Sequence, residues 1–272
     1  MVLSRGVMSA LLLMTLSAAC LAQTGAGLPQ GLSPDASAAL LKAYPDFLDR
    51  IEDNDLVWKD GTRMRIDGGK GDVKGTRPFE AMLDDPDIKD MFATKYPVGE
   101  KGLVPDVNVD PGRARYLPLF RKMYGDCRAP GFTKTLTDVV WLPGKNGTHL
   151  KFSRINGAAE ALQRISNELA RLPDRFLVYV RPSQGTYNCR AIAGTNRRSA
   201  HGFGIAIDIA AAHSHYWLRA KPGAGGHIAY KNEIPWEIVH IFEAHGFIWG
   251  GKWYHYDTMH FEYRPELIGA AK

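Results

Sequence analysis

A histidine and an aspartate stand seven residues apart in the stretch SAHGFGIAIDIA, residues 199–210. In the run GIAIDIA, isoleucine alternates with alanine or aspartate, a period of two that is typical of a strand with one apolar face. Asp208 shares the opposite face with two alanines, which leaves open space before its carboxylate. A half-buried carboxylate is costly unless it is paired or coordinates a cation. We therefore expect a turn at Gly202–Gly204 that brings His201 over Asp208.

A second group of polar residues lies in the stretch WYHYDTMHFEYRPEL, residues 253–267. In a strand, His260 and Glu262 share one face, whereas Met259 and Phe261 share the other. Asp257 comes three residues before His260, so we place it on the turn that leads into the strand. From there its carboxylate can reach the same cavity from a different direction.

These two groups contain the side chains that a catalytic zinc site requires. Two histidines and one carboxylate, here His201, His260 and Asp208, form a zinc triad whose fourth position stays open to water. A further carboxylate just outside the triad can act as a general base toward that water. The sequence therefore predicts metal-assisted hydrolysis.

Both motifs resemble those of a known family. S-A-H-G-F-G-I-A-I-D matches the signature S-x-H-x-x-G-x-A-x-D of the zinc D-alanyl-D-alanine peptidases, and D-T-M-H-F-E matches their second signature. That family includes the carboxypeptidases and dipeptidases of vancomycin resistance and the L-alanyl-D-glutamate endolysins. The resemblance covers roughly residues 126–267, and the two motifs occur in the expected order.

The resemblance implies a role for each of the residues in these motifs. His201, Asp208 and His260 would bind one Zn²⁺ ion per chain, and Asp257 would be the catalytic base. Aspartate at this position resembles the endolysin branch, since the dipeptidases carry glutamate. Ser199 would support the site by hydrogen bonding.

In this family an arginine upstream of the first motif stabilises the substrate and the transition state. Arg181, at the end of FLVYVRPSQG, is the first candidate for that role, and Arg190, in NCRAIAG, competes with it. His255 stands beside the predicted base and can line the cleft. Trp253 has the best claim among the tryptophans to do the same, by its position in the sequence.

Structural interpretations of the same residues remain open. His201 and Asp208 can form a hydrogen-bonded pair with no catalytic role, and Asp257 can cap a turn. Glu262 is the rival base, although its strand parity with His260 favours a place behind the ligand or at the surface. The alternative function is a zinc-stabilised, non-catalytic cell-wall-binding module on the same scaffold, as in hedgehog signalling domains.

The surrounding pattern predicts the elements that must position these residues. Helical spacing in DASAALLKAY and in NGAAEALQRISNELARLP predicts helices, and GRARYLPLFRKMYGDC is expected to form another. LVWKDGTRMRID predicts a hairpin about Asp60-Gly61. Further strands are expected in three stretches: TDVVWLP, HLKFSRING and RFLVYVRP.

The N-terminal stretch MVLSRGVMSALLLMTLSAACLAQ has the charge, apolar run and small residues of a secretory signal peptide. We expect cleavage after Ala22 and location in the periplasm or cell envelope. Cleavage before Cys20 would instead give a lipid-anchored protein, although Ser17 stands where that signal favours an aliphatic residue. Export also bears on the other two cysteines: Cys127 and Cys189 form an even pair in an oxidising compartment, which predicts a disulfide.

The composition narrows the classes of partner. The chain has 272 residues, 34 basic and 29 acidic, and thus a net charge of +5. A mildly basic exported protein suits an anionic envelope polymer. The basic residues are scattered, with no dense run that would favour nucleic acid, and no apolar run past the N-terminus is long enough to span a membrane.

Taken together, the sequence predicts an exported zinc peptidase that acts on peptidoglycan stem peptides, as a D,D-carboxypeptidase or an L-Ala-D-Glu endopeptidase. The expected fold is α+β: a small antiparallel sheet flanked by helices, with zinc on one face, as in the hedgehog/DD-peptidase scaffold. We predict three segments: a signal peptide at 1–22, an N-terminal α/β extension at 23–125 and the peptidase domain at 126–272. We expect a monomer.

Overall fold

A computed structural model describes residues 31–71, 77–192 and 194–271. The predicted signal peptide and Cys20 lie outside these residues. Within the described ranges, no helix is both long enough and apolar enough to cross a membrane.

The fold is α+β, as the sequence predicts. The eight strands among the described residues are Leu48–Glu52 (β1), Asp55–Trp58 (β2), Arg63–Arg65 (β3), Leu136–Trp141 (β4), Thr148–Ser153 (β5), Ala206–Asp208 (β6), Phe247–Trp249 (β7) and His260–Tyr263 (β8). The α-helices of the same ranges are Pro34–Ala43 (α1), Phe79–Asp84 (α2), Leu117–Tyr124 (α3), Ala158–Leu169 (α4), Leu177–Val180 (α5), Trp236–Ala244 (α6) and Pro265–Ala270 (α7). The strands form three small antiparallel sheets, β1-β2-β3, β4-β5 and β6-β8-β7.

Strand β8 is the middle strand of the sheet that carries the predicted ligands. Its pairing with β6 sets Asp208 opposite His260 and Ile207 opposite Phe261. Ile207 and Phe261 are fully buried. The expected alternation of an apolar face and a polar face is therefore present.

Helix α4 packs against β4 and α6 through the face that its sequence predicts. Four residues of that face are all buried, at spacings of three and four residues: Ala159, Leu162, Ile165 and Leu169. The helix ends before Pro173, which the sequence marks as a stop. Strands β4 and β5 and the hairpin of β2 and β3 also form where the sequence predicts them.

One predicted strand is wrong. The stretch RFLVYVRP forms a 3₁₀ turn at Asp174–Phe176 followed by the short helix α5. A short apolar run has no periodicity that separates a strand from a buried helical turn, and here Pro173 and Asp174 supply a helix start instead. The backbone becomes extended only at Arg181, the residue before Pro182.

The main hydrophobic core draws residues from both sides of the predicted boundary at position 125. Leu40 and Phe120 lie in the same buried cluster as Phe203 and Phe261. Helix α1 also packs directly on α7, near the other end of the chain. The N-terminal segment is thus part of the packing around the β6-β8-β7 sheet.

Cys127 and Cys189 form a disulfide, with their Cα atoms 5.7 Å apart. Arg198 lies against both sulfur atoms, with its Nη1 3.2 Å from Cys127 Sγ and 3.4 Å from Cys189 Sγ. A Cβ on Gly202 would come within 2.7 Å of the Arg198 side chain. The disulfide therefore supports the turn that carries His201.

We predict that Cys127→Ser combined with Cys189→Ser lowers the free energy of unfolding by up to about 4 kcal/mol, because the bridge closes a loop of 62 residues. Denaturant titration of the oxidised protein and the double variant measures this difference. Intact mass before and after reduction checks the bridge itself, and two free thiols in the exported protein would contradict it.

Candidate metal centre and cleft

The turn that carries His201 depends on a glycine. His201 lies in a 3₁₀ turn, Ala200–Phe203, that ends at Gly204 immediately before β6. Gly204 has a φ of 68°, and a Cβ there would lie 2.7 Å from Leu136 Cδ2. Because a side chain fits neither this backbone conformation nor this space, glycine is required for the chain to reverse over Asp208.

The reversal brings three donor atoms into a nearly equilateral triangle. His201 Nε2 lies 3.2 Å from His260 Nδ1 and 3.2 Å from Asp208 Oδ1. His260 Nδ1 lies 2.9 Å from the same Asp208 oxygen. All three side chains are buried. They form a cluster that could hold a metal ion.

The size of the triangle fits zinc. Tetrahedral coordination with bonds of about 2.1 Å places neighbouring ligand atoms about 3.4 Å apart, only a few tenths of an ångström wider than the triangle found here. Two imidazole nitrogens and one carboxylate oxygen also match the donor types that zinc prefers. His201, Asp208 and His260 are thus a suitable ligand set for this ion.

The outer nitrogen of each histidine has its own hydrogen-bond acceptor. His201 Nδ1 donates to the carbonyl of Thr186, and His260 Nε2 donates to Glu262 Oε1 at 3.0 Å. These bonds leave His201 Nε2 and His260 Nδ1 facing Asp208. Acceptors of this kind orient the rings of metal-bound histidines.

Charge in the cluster is balanced by close pairing. Burial alone lowers the pKa of His260, but Asp208 and Glu262 outweigh it and raise that pKa to about 10. Burial likewise raises the pKa of Asp208, yet His201 and His260 hold it well below its usual range. Metal ligation requires neutral imidazole, so a metal ion must displace the proton that these carboxylates stabilise.

Asp257 stands apart from the three donors. It follows a turn, with its amide donating to the Gly250 carbonyl at 3.0 Å, and it lines the same cleft as Asp208 and His260. Its Oδ1 atom is buried and has no hydrogen-bond partner. Burial is the main cause that raises the pKa of Asp257, to about 6. This carboxylate is therefore available to take up a proton.

The cleft beside the triad has a volume of about 320 Å³. Three arginines line it: Arg113, Arg190 and Arg219. Of the two arginines that the sequence suggests, Arg190 is thus at the cleft. Arg181 is exposed, is not among the lining residues and donates to the Lys145 carbonyl at 2.6 Å.

The other residues singled out from the sequence also line the cleft. Ser199 holds the His201 turn through its backbone, since its carbonyl accepts from the Gly202 amide at 2.9 Å. Trp253 is almost fully buried, and its ring centre lies 5.9 Å from that of His260. His255 Nδ1 lies 2.8 Å from Asp110 Oδ2.

Several residues near the site escape the sequence analysis. Asp110 contacts His255, Arg113 lines the cleft, and Arg115 pairs with Glu262, all from the segment before the two motifs. The residue spacing around PGRARY does not indicate these contacts, because the partner residues lie about 145 positions further along the chain. Only the packing of the N-terminal segment reveals them.

Comparison with known proteins supports the motif assignment. Residues 193–263 match the family model described as D-alanyl-D-alanine carboxypeptidase, a range that contains all three donors and Asp257. Neither the curated proteins nor the solved structures contain a significant match to the chain. The match confirms, over this segment of the chain, the resemblance drawn from the two motifs.

Proposed function

We propose that this protein is an exported zinc peptidase that hydrolyses peptide bonds in peptidoglycan stem peptides. The observation that carries the proposal is the triangle of His201, Asp208 and His260 beside a cleft that is also lined by Asp257, whose Oδ1 has no hydrogen-bond partner. The match to a peptidase family over the same residues supports it. We further propose that the fold around the site is the hedgehog/DD-peptidase scaffold.

The residues divide the chemistry among them. Zinc, when bound, acts as a Lewis acid and lowers the pKa of a water molecule. Asp257 accepts a proton from the attacking water and passes it to the leaving amine. Arg190 faces the same cleft and can stabilise negative charge that develops on the substrate carbonyl. The buried walls of the triad keep the ligands fixed during these steps.

The charge of the cleft suits the proposed substrate. Stem peptides carry free carboxylates, and Arg113, Arg190 and Arg219 line the cleft. Arginine pairs with carboxylates through two parallel hydrogen bonds, so it both attracts and orients such groups. Both a terminal D-alanine carboxylate and the carboxylate of D-glutamate fit this pattern, which leaves carboxypeptidase and endopeptidase action as two forms of one proposal.

We propose that the protein acts outside the cytoplasm. The disulfide between Cys127 and Cys189 supports this location, since disulfides persist mainly in oxidising compartments. The predicted signal peptide is consistent with it. Soluble release into the periplasm is our proposal, and lipid anchoring at Cys20 is the alternative.

Digestion of purified muropeptides by the zinc-loaded protein tests the function. Mass analysis of the products distinguishes loss of a terminal D-alanine, cleavage between L-alanine and D-glutamate, and cleavage of a cross-link. Any of the three supports the proposal. Binding of muropeptides without cleavage would favour the non-catalytic module instead.

We predict that His260→Ala largely loses zinc. Loss of an outer hydrogen-bond partner alone lowers metal affinity about 10- to 100-fold, so loss of a ligand should exceed about 100-fold. Elemental analysis after dialysis measures the zinc content. His149→Ala, which changes an exposed histidine on β5, serves as the control and should keep the metal. Full zinc retention by His260→Ala would rule out the triad.

Asp257→Asn should keep its zinc and lose turnover. Asparagine preserves the size of the side chain but cannot accept the proton, so kcat should fall about 10²- to 10⁴-fold. The measurement is the rate on one muropeptide, with zinc content checked in the same sample. Asp138→Asn makes the same change at an exposed ion pair with Lys151 and should leave the rate unchanged. Normal turnover by Asp257→Asn would exclude it as the base.

A further inference from the structure

We propose that Arg115 is a positioning residue for the metal centre, which it reaches through Glu262 and His260. Arg115 lies in the segment that precedes the residues matched by the family model. The inference rests on the proposed zinc site and assigns a part of that site to the N-terminal segment. The residues that match the family model, 193–263, therefore do not complete the metal site without the N-terminal segment.

The contact between Arg115 and Glu262 is bidentate. Arg115 Nε donates to Glu262 Oε2 at 2.9 Å, and Arg115 Nη2 donates to Glu262 Oε1. Both side chains are buried, with 8% of the arginine and none of the glutamate exposed. Two parallel bonds between planar groups fix the rotation of the carboxylate as well as its position.

That fixed carboxylate determines the orientation of His260. Glu262 Oε1 also accepts from His260 Nε2 at 3.0 Å, on the side of the ring away from the donor triangle. The ring then directs Nδ1 toward Asp208 and His201. A rotation of Glu262 would move the hydrogen-bond acceptor and let the ring turn, which would displace one of the three donor atoms.

Arg115 is itself held in place from several directions. Its Nη1 donates to the Arg113 carbonyl at 3.1 Å. The segment just before Arg115 is hydrogen-bonded to the residue that precedes α7, because Arg264 Nη1 donates to the Gly112 carbonyl at 2.8 Å. The Asp110 carboxylate is hydrogen-bonded to the backbone amide and to the ring Nδ1 of His255. Arg115 is therefore a fixed support rather than a freely rotating surface side chain.

The charge of Arg115 matters as well as its shape. Arg115 and Glu262 form an ion pair whose two side chains are both buried, so the positive charge of the guanidinium compensates the carboxylate where water cannot. Arg264 is the other cation nearby, with Nη1 3.7 Å from Glu262 Oε2, a longer contact than either bond from Arg115. Without Arg115, Glu262 would keep its contact with His260 but lose the two bonds that orient it.

Metal affinity tests the proposal without relying on peptidase activity. The protein is freed of metal with a chelator, and Zn²⁺ is titrated back in competition with a chromophoric chelator. We expect Arg115→Met to weaken zinc binding about 10- to 100-fold, the usual effect of losing an outer-shell partner, and Arg115→Lys to weaken it less. Titration with Co²⁺ should show an altered visible spectrum, because the ligand geometry changes.

Matched variants separate positioning from folding. Arg77→Met removes another buried arginine of the N-terminal segment, paired with Asp90 at 2.9 Å, and should leave zinc affinity unchanged. A purely structural role for Arg115 would lower thermal stability without changing the affinity of the folded protein. If Arg115→Met does not fold, the double variant Arg115→Met with Glu262→Gln removes both buried charges. Its affinity should match that of Glu262→Gln alone, because Arg115 acts through Glu262.

The outcomes distinguish this proposal from the proposed function. Unchanged affinity and an unchanged Co²⁺ spectrum in folded Arg115→Met would overturn the positioning role and leave the peptidase proposal intact. An additive loss in the double variant would also overturn it. Tight zinc binding without muropeptide cleavage would overturn the peptidase function alone, and a wild-type protein that binds no zinc would remove both.

Discussion

The antiparallel register of β6 against β8 is the constraint on which the site depends. It sets Asp208 opposite His260, and a shift of one residue would turn either side chain to the other face of the sheet. The register is secured from the apolar side, where Ile207 and Phe261 face each other in the core. Burial of that face thus fixes two of the three donors, and the glycine turn after His201 supplies the third.

Placing these donors in the interior requires compensation for buried charge. The compensation continues as a chain of alternating signs, from Arg115 to Glu262, Arg264 and Glu266, and it ends at the Tyr44 hydroxyl of the N-terminal segment. Removing one member would leave its neighbour as a buried, uncompensated charge, which is far more costly than losing an exposed pair. The same chain joins the strand that bears His260 to the N-terminal segment, so the stability of the fold and the geometry of the site are linked.

Local sequence patterns predicted the parts of this arrangement that local physics determines. The alternation around Asp208 and the helical spacing of α4 each arise within one element, so both could be read from the sequence. RFLVYVRP was misread as a strand because an apolar run of that length satisfies either conformation. Arg115 could not be found at all, since its partner lies 147 residues away and only tertiary packing brings them together.

The two carboxylates near His260 show how environment separates their roles. Glu262 has both oxygens engaged by Arg115 and His260, which keep its pKa well below its usual range despite burial. Asp257 is half-buried, its buried Oδ1 has no hydrogen-bond partner, and desolvation raises its pKa to about 6. When surroundings push the pKa values of two neighbouring acids apart, the roles of the two groups follow. Two partners stabilise the anion of Glu262, whereas Asp257 takes up a proton more readily than an ordinary aspartate, and this difference supports the proposed roles of Asp257 as the base and Glu262 as the support of the ligand.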